Sequence, residues 1–491
     1  MNETVQDGRR RPDSISNLTP RRKAVVLVSC CLSLLIVSMD ATIVNVAIPS
    51  IRTDLGASPA QLQWVVDVYT LVLASLLMLS GAMGDRFGRR RIFQIGLTVF
   101  AVGSLLCSLA PGVDTLIAAR LLQGIGGSML NPVALSIISQ VFTGKVERAR
   151  ALGFWGAVVG ISMALGPTVG GLLIEYVGWR AVFWINLPIC AAAVLLTAIF
   201  VPETKSATMR NVDPIGQGLA VVFLFGVVFA LIEGPGMGWT NPRVIAVAVL
   251  AAVAFAAFLR FESRRHDPFI DLRFFRSVPF ASATVIAISA FATWGAFLFM
   301  MSLYLQAERG FSAMHTGLIY LPIAIGALVF SPLSGRLVGR YGARPSLLAA
   351  GVLITTAAYL LTFLTATTPV WALLVVFTVF GMGFSMVNAP ITNAAVSGMP
   401  LDRAGAASAV TSTSRQIGVS IGVALCGSVT GTTLLASGVD FIAAARPLWF
   451  VCVALGVVII VLGFVSTAPR ALASAQRLVP LIEGKAAVHV G

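Results

Sequence analysis

From residue 24 to residue 467 the chain repeats one pattern, an apolar stretch followed by a short polar turn. That pattern constrains the fold more than any motif does. A hydrocarbon core about 30 Å thick is crossed by roughly 20 helical residues, and inside it only helices or closed barrels satisfy their own backbone. Of the 491 residues only 11% are charged, where a soluble domain carries roughly 25%. The expected spans are 24–49, 61–83, 92–110, 113–140, 151–175, 181–201, 214–233, 243–260, 278–307, 314–336, 345–366, 369–396, 404–435 and 445–467. The fold class is therefore an all-α polytopic membrane protein with fourteen transmembrane helices. Residues 1–23 are polar and basic, and the run from Ala24 lacks the short core and cleavage site of a secretory signal, so it reads as a retained first span.

The basic residues set an orientation. Of 34 Lys and Arg, five (Arg52, Arg180, Arg243, Arg309, Arg446) fall outside if the N-terminus is inside, and two (Arg120, Arg415) fall within spans. The remaining 27 are then cytoplasmic, the bias expected of a plasma (inner) membrane protein with both termini inside. The net charge of +14 is spread in short clusters without interleaved aromatics, which excludes a nucleic-acid surface. All six cysteines (Cys30, Cys31, Cys107, Cys190, Cys426, Cys452) lie in apolar segments without metal-ligand spacing, so no metal or cofactor is expected. "TGK" at 143–145 lacks the glycine frame of a nucleotide-binding loop, and no loop offers a catalytic cluster, so the chain does not read as an enzyme.

Two passages recur at nearly one offset. "GIGGSMLNP" at 124–132 is echoed by "GMGFSMVNAP" at 381–390, 257 residues on, and "GAMGDRFGRRR" at 81–91 by "GRLVGRYGARP" at 335–345, 254 on. Both echoes fall on matching sides of the membrane, which points to duplicated halves. The expected organisation is a cytoplasmic tail at 1–23, a six-helix bundle at 24–201 and a segment 202–277 with two inserted helices (214–233, 243–260) and a cytoplasmic loop. A second, pseudo-symmetric six-helix bundle at 278–467 and a cytoplasmic tail at 468–491 follow.

Three charges sit inside first-half spans: Asp40, Asp67 and Arg120. An aspartate at a helix centre costs about 2.5–3.5 kcal/mol to insert, so its retention asks for a use. Counted inward from the outer ends, Asp40 lies about 13 Å deep, Asp67 about 9 Å and Arg120 about 10 Å. Equal depth suggests one shared, water-accessible cavity, and burial and a nearby arginine pull a carboxylate's proton affinity in opposite directions. That opposed tuning can place either Asp40 or Asp67 where protonation alternates with substrate binding, with Arg120 helping to expel the proton. Trp64, Tyr69, Trp294 and Phe297 are the candidate aromatic contacts for substrate; Trp294 stands 254 residues after Asp40, at the second-half counterpart of that position. Arg415, about 16 Å in from the inner end of its span, fits an anion or a set of carbonyls equally well. Gly166, Pro167, Gly170 and Gly171 allow a kinked helix to pack backbone to backbone.

The motifs resemble the major facilitator superfamily. They are "GAMGDRFGRRR", "RLLQGIGG" at 120–127 and the antiporter-like "GPTVGG" at 166–171. "MDATIVNVAIP" at 39–49, "QWVVDVYTL" at 63–71, "GWRAVFWINLP" at 178–188 and "SRQIGVSIG" at 414–422 are similar to its 14-helix drug:proton antiporters, exporters of antibiotics and quaternary ammonium compounds. The resemblance implies that Asp40 couples protons, Arg120 promotes their release and Asp67 recognises cations. It further implies that Asp85 with the neighbouring arginines, in the loop formed by Asp85, Arg86, Gly88, Arg89 and Arg90, latches the halves in the outward-facing state. The echo has Gly339 in place of Asp85, so the switch is expected to be asymmetric. The expected function is proton-coupled efflux by alternating access, exporting small amphiphilic or cationic compounds from a functional monomer in the lipid bilayer. The alternative is a dedicated exporter of one endogenous metabolite or siderophore. Spans 9–14 carry no interior acid, which argues against bulky divalent cations.

Overall fold

The structure is a computed structural model that describes residues 18–204, 213–265, 270–396, 404–430, 440–475 and 477. The helices are delimited by local chemistry. In α1 (Pro20–Leu55), Thr19 accepts from the Arg22 N–H at the start and Gly56 takes a left-handed φ of 62° at the end. A reciprocal cap between Ser58 and Gln61 starts α2 (Pro59–Phe87), and Gly88, at φ 111°, turns it into α3 (Arg89–Ser108). Then come α4 (Val113–Val141), α5 (Lys145–Tyr176), α6 (Ala181–Trp184) and α7 (Asn186–Phe200). A hairpin of α8 (Pro214–Met237) and α9 (Pro242–Arg264) leads through a 3-10 turn at Leu272–Arg276 to α10 (Val278–Leu303). The remainder is α11 (Ala313–Ile319), α12 (Leu321–Tyr341), α13 (Ala343–Leu361), α14 (Val370–Ser385), α15 (Asn388–Val396), α16 (Ala404–Thr430) and α17 (Phe441–Ser466).

Among the described residues, twelve helices are long and apolar enough to cross a bilayer. Three are built from two helices each (α6 with α7, α11 with α12, α14 with α15), and α10 is extended by a π-helical turn at Tyr304–Glu308. The expected spans 151–175 and 404–435 fall on α5 and α16, which are helical but not among the twelve, and residues 431–435 lie outside the described residues. Most of both tails also lies outside them. Large apolar side chains such as Leu106, Leu195, Val253, Leu328 and Trp371 are exposed around the outside, as a lipid-facing surface requires.

Glycines set how closely helices approach. A side-chain carbon at Gly126 of α4 would collide with the Phe100 backbone N of α3, and one at Gly103 of α3 would lie 2.6 Å from the Gln123 N of α4. Such contacts leave room only for hydrogen.

The bundle has two ends. One carries the α1–α2 and α5–α6 loops; the other, the basic end, carries the start of α1 and the α2–α3 turn. Near the loop end one apolar cluster runs from Ile43, Ala47 and Ile51 of α1 into Phe297 and Met301 of α10 and on to Phe377 of α14. Near the basic end a second cluster, including Val26, Ile92, Leu130 and Ile138, draws only on residues before 202. A crossing there is Met78 of α2 against the cluster of Ala407 and Val410.

Replacing Gly126 with Val should cost about 1–3 kcal/mol through overpacking, read as a lowered thermal midpoint of detergent-solubilised protein. Gly218→Ala, inside α8 where nothing lies within 4 Å, should keep the midpoint or raise it slightly through helix propensity.

Candidate functional site

Asp40 is the centre of a polar cluster within the apolar bundle. The Arg120 Nη1–H donates to Asp40 Oδ2 and, at 2.6 Å, to Gln123 Oε1, while its Nε–H donates to the Val65 carbonyl at 3.0 Å. Gln123 Nε2 donates to Asp40 Oδ1 at 2.9 Å and to Ser104 Oγ at 2.8 Å. Asn186 Nδ2 adds a third donor to Asp40 at 3.0 Å and reaches Ser104 Oγ at 3.3 Å. The guanidinium lies 4.2 Å from the centre of the Tyr69 ring, and the Tyr69 hydroxyl donates to the Val37 carbonyl. Asp40 is 0% and Arg120 1% exposed. Five elements (α1, α2, α3, α4 and α7) therefore converge on one carboxylate.

The structure thus brings Asp40 and Arg120 together, as expected from their depth, with Tyr69 beside them, but in a fully buried cluster rather than an open cavity. Sequence reasoning missed Gln123, Ser104 and Asn186. Gln123 was detectable: it stands three residues after Arg120, on the same helix face.

Asp67 belongs elsewhere, a correction to the shared cavity. Its Oδ1 accepts from the Ser420 hydroxyl of α16 at 3.1 Å, and its buried Oδ2 has no partner. The cause is azimuth. Val65 and Tyr69 face Arg120, and Asp67 is two residues from each, about 200° round the helix. One turn earlier, Gln63 Nε2 donates to the Val423 carbonyl at 2.7 Å, so this face of α2 is given to α16. Trp64 points to the α8–α9 hairpin, donating its indole N–H to Glu233 of α8 at 2.9 Å beside Phe229.

Trp294 and Phe297 are buried in an aromatic stack rather than facing a void. Trp294 stacks on Phe384 at 4.4 Å and Phe297 on Phe380 at 4.1 Å, so α10 and α14 are joined ring to ring. Arg415 donates from Nη2 to the Thr392 hydroxyl of α15 at 2.8 Å, a hydroxyl in place of the carbonyls considered above.

In the loop motif, Asp85 accepts from Arg89 Nη2 at 2.6 Å. Glu203, past the end of α7, accepts from the backbone N–H groups of Arg90 and Arg91 at 3.2 Å each, and the Arg90 side chain donates to the Ala198 carbonyl. A carboxylate at a helix N-terminus is favourable on charge grounds. Arg86 is exposed, and a side-chain carbon at Gly88 would meet Glu203 Oε1 at 2.5 Å. Among the described residues, the recorded partners of Asp85, Arg89 and Arg90 all precede residue 205.

Between the two regions runs α5. A side chain at Gly166 would collide with the Thr42 hydroxyl, and one at Gly170 would lie 2.7 Å from Ile43 Cγ1, both on the stretch of α1 just after Asp40. On its other side, α5 touches α11: a carbon at Gly317 would lie 2.6 Å from the Pro167 carbonyl, Gly171 abuts the Ala313 carbonyl, and Thr168 donates to the Gly317 carbonyl at 2.9 Å. The surroundings of Gly156, Gly160 and Ala164 lie outside the described residues. Among the described residues no group of three or more His, Cys, Asp or Glu could hold a metal ion, and the six cysteines are buried and unpaired.

Residues 30–423 match the family model described as Major Facilitator Superfamily. The chain is 37% identical over 417 residues to the multidrug resistance protein Stp of Mycobacterium tuberculosis, covering 85% of this chain and 78% of that one. It is 38% identical over 401 residues to the methylenomycin A resistance protein of Streptomyces coelicolor, covering 81% and 83%. Its fold is similar to that of a bacterial homologue of the human lysosomal transporter Spinster, solved in an inward-facing, unoccupied conformation. The TM-score there is 0.60 at 18% identity, covering 94% of this chain and 98% of that one.

Arg120→Leu strands a buried carboxylate and should destabilise the protein by about 3–5 kcal/mol. Asp40→Asn combined with Arg120→Gln should recover much of that loss in thermal unfolding of the solubilised protein. Strictly additive effects would mean that the two residues are not energetically coupled.

Proposed function

The chain belongs to the Major Facilitator Superfamily, and from that premise we propose that it exports small amphiphilic or cationic drugs in exchange for protons. The observation that carries the reading is the buried Asp40–Arg120 pair within a cluster of neutral polar groups. A proton on Asp40 removes the charge that holds Arg120, leaving the guanidinium with Gln123 and the Val65 carbonyl. The cluster then has a reason to rearrange, and α5 is the element able to pass that on: it packs on α1 beside Asp40 and on α11 in the second half. Asp67, with one unpartnered oxygen at the α2–α16 contact, is the proposed cation-recognition group. Trp64, Tyr69, Trp294 and Phe297 are the proposed aromatic contacts.

The same reading takes α5 and α16 as two further spans, fourteen in all, arranged as bundles at 24–201 and 278–467 with α8 and α9 inserted. The positive-inside bias makes the basic end cytoplasmic. The loop end, where α5 meets α11 and Gln306 donates to the Val46 carbonyl at 3.0 Å, is then the sealed outer end. The conformation so oriented is inward-facing. Asp85 and its arginines, with no recorded second-half partner among the described residues, would latch them in the opposite state.

The test is uphill transport and substrate-induced proton release in inverted membrane vesicles, with dyes, biocides and antibiotics as candidate substrates. Asp40→Asn should lose uphill transport at least about tenfold, an effect of about 1.4 kcal/mol or more, and Asp67→Asn should weaken cationic substrates more than neutral ones. Asp40→Asn protein that inserts normally and transports uphill with unchanged pH dependence would overturn the coupling assignment.

A further inference from the structure

The two arginines inside the spans are treated very differently by their surroundings. Arg120 is paired with Asp40 and bonded to Gln123 and a carbonyl. Arg415, on α16, has no carboxylate partner among the described residues. Its recorded hydrogen bond is to the Thr392 hydroxyl, and its Nε is buried without an acceptor. Thr392 in turn donates its proton to the Asn388 carbonyl at 3.0 Å, so it receives from the guanidinium as a neutral acceptor and leaves the charge uncompensated. A charge inside a span is expensive unless it faces a cavity or meets a counter-charge.

Polar side chains stand near it in the sequence of α15 and α16. Thr392 and Asn393 are exposed on α15, and Ser412, three residues before Arg415 and so on the same face of α16, is half-buried. Arg415 lies eleven residues into α16 from Ala404, about 16 Å from the basic end, where the apolar cluster of the first half stands apart. The Phe291 ring centre is 5.9 Å from the guanidinium and 5.0 Å from Phe384, which stacks on Trp294. The guanidinium thus adjoins the largely buried Phe291 ring, which meets Phe384 edge to face. The Nε and Nη2 donors of one guanidinium match two oxygens of a carboxylate, sulfonate or phosphate in parallel.

We propose that Arg415 is the anion-binding end of a ligand subsite in the second half, taking the oxyanion head group of an amphiphile whose flat body lies against Phe291. The proposal rests on the export reading for its transport meaning, since it adds zwitterionic and anionic amphiphiles to the substrate class. The head group has two sources, a dissolved amphiphile or the phosphate of an anionic lipid.

Full-length protein in phosphatidylcholine nanodiscs is titrated with 1-anilinonaphthalene-8-sulfonate and with uncharged N-phenyl-1-naphthylamine, which has the same aromatic body without the sulfonate. Arg415→Gln should weaken the sulfonate probe about tenfold or more, as expected for loss of a charge-assisted bond, and leave the uncharged probe unchanged. Arg415→Lys should fall between the two. An unchanged sulfonate affinity in Arg415→Gln, or an equal loss for both probes, overturns the subsite. Phosphatidylglycerol added to the nanodiscs separates the sources. Competition with the sulfonate in wild type but not in Arg415→Gln assigns the site to lipid phosphate, and no competition assigns it to dissolved amphiphiles. This readout needs neither export nor protons, so failure of the export reading in vesicles and failure of the subsite are distinct results.

Discussion

A carboxylate and a guanidinium withdrawn from water are tolerable only if their remaining hydrogen-bonding atoms are occupied, because each unmet one costs free energy and the low dielectric magnifies the loss. In this protein that requirement organises the first half. Asp40 accepts from Arg120, Gln123 and Asn186, and Ser104 accepts from two of the same side chains. Arg120 and Gln123 reach it from α4 and Asn186 from α7. Meeting the demand of one carboxylate therefore fixes the rotation of α1, α4 and α7 and the approach of α3. It also explains the glycine at 103: Gln123 can reach Asp40 only if α3 leaves space for its backbone.

The second constraint is mechanical and lies in α5. A helix whose two sides are glycine can touch two neighbours at backbone distance, which makes its position sensitive to either. Gly166 and Gly170 put α5 against Thr42 and Ile43, just past Asp40, while Pro167 and Gly171 put it against α11. Charge and packing are thus adjacent along the chain. A change in the polar cluster need travel only one helix diameter to reach the second half. The α2–α16 contact, by contrast, carries its own polar groups: Gln63, Asp67 and Ser420.

The α8–α9 hairpin is tied into the rest of the protein by hydrogen bonds. Gln217 of α8 donates to the Ser75 carbonyl of α2, Trp64 of α2 donates to Glu233, and Ser428 of α16 donates to the Leu231 carbonyl. Nothing in the hydropathy of 214–233 marks this role, because an apolar helix reads alike whether its neighbour is lipid or protein. The same limitation hid the surroundings of Trp294 and Phe297, whose rings are packed by partners some 80 residues further on.

The amino-acid sequence alone determined the all-helical membrane class, because twenty-residue apolar runs admit few other structures in lipid. It also determined the depth of Asp40 and Arg120, since rise per residue is constant along a helix, and so their pairing was legible. Azimuth about the helix axis was not legible in the same way. Depth puts Asp67 level with Asp40, yet two residues of rotation turn it to α16, and only packed neighbours reveal which side of α2 faces which partner. Gln123, Ser104 and Asn186 entered the site for the same reason: neutral polar side chains carry no charge that demands explanation, and they become necessary only once a buried carboxylate has to be satisfied. The tertiary structure decided which charges meet a counter-charge, as Arg120 does in Asp40, and which, like Arg415, meet only a hydroxyl among the described residues.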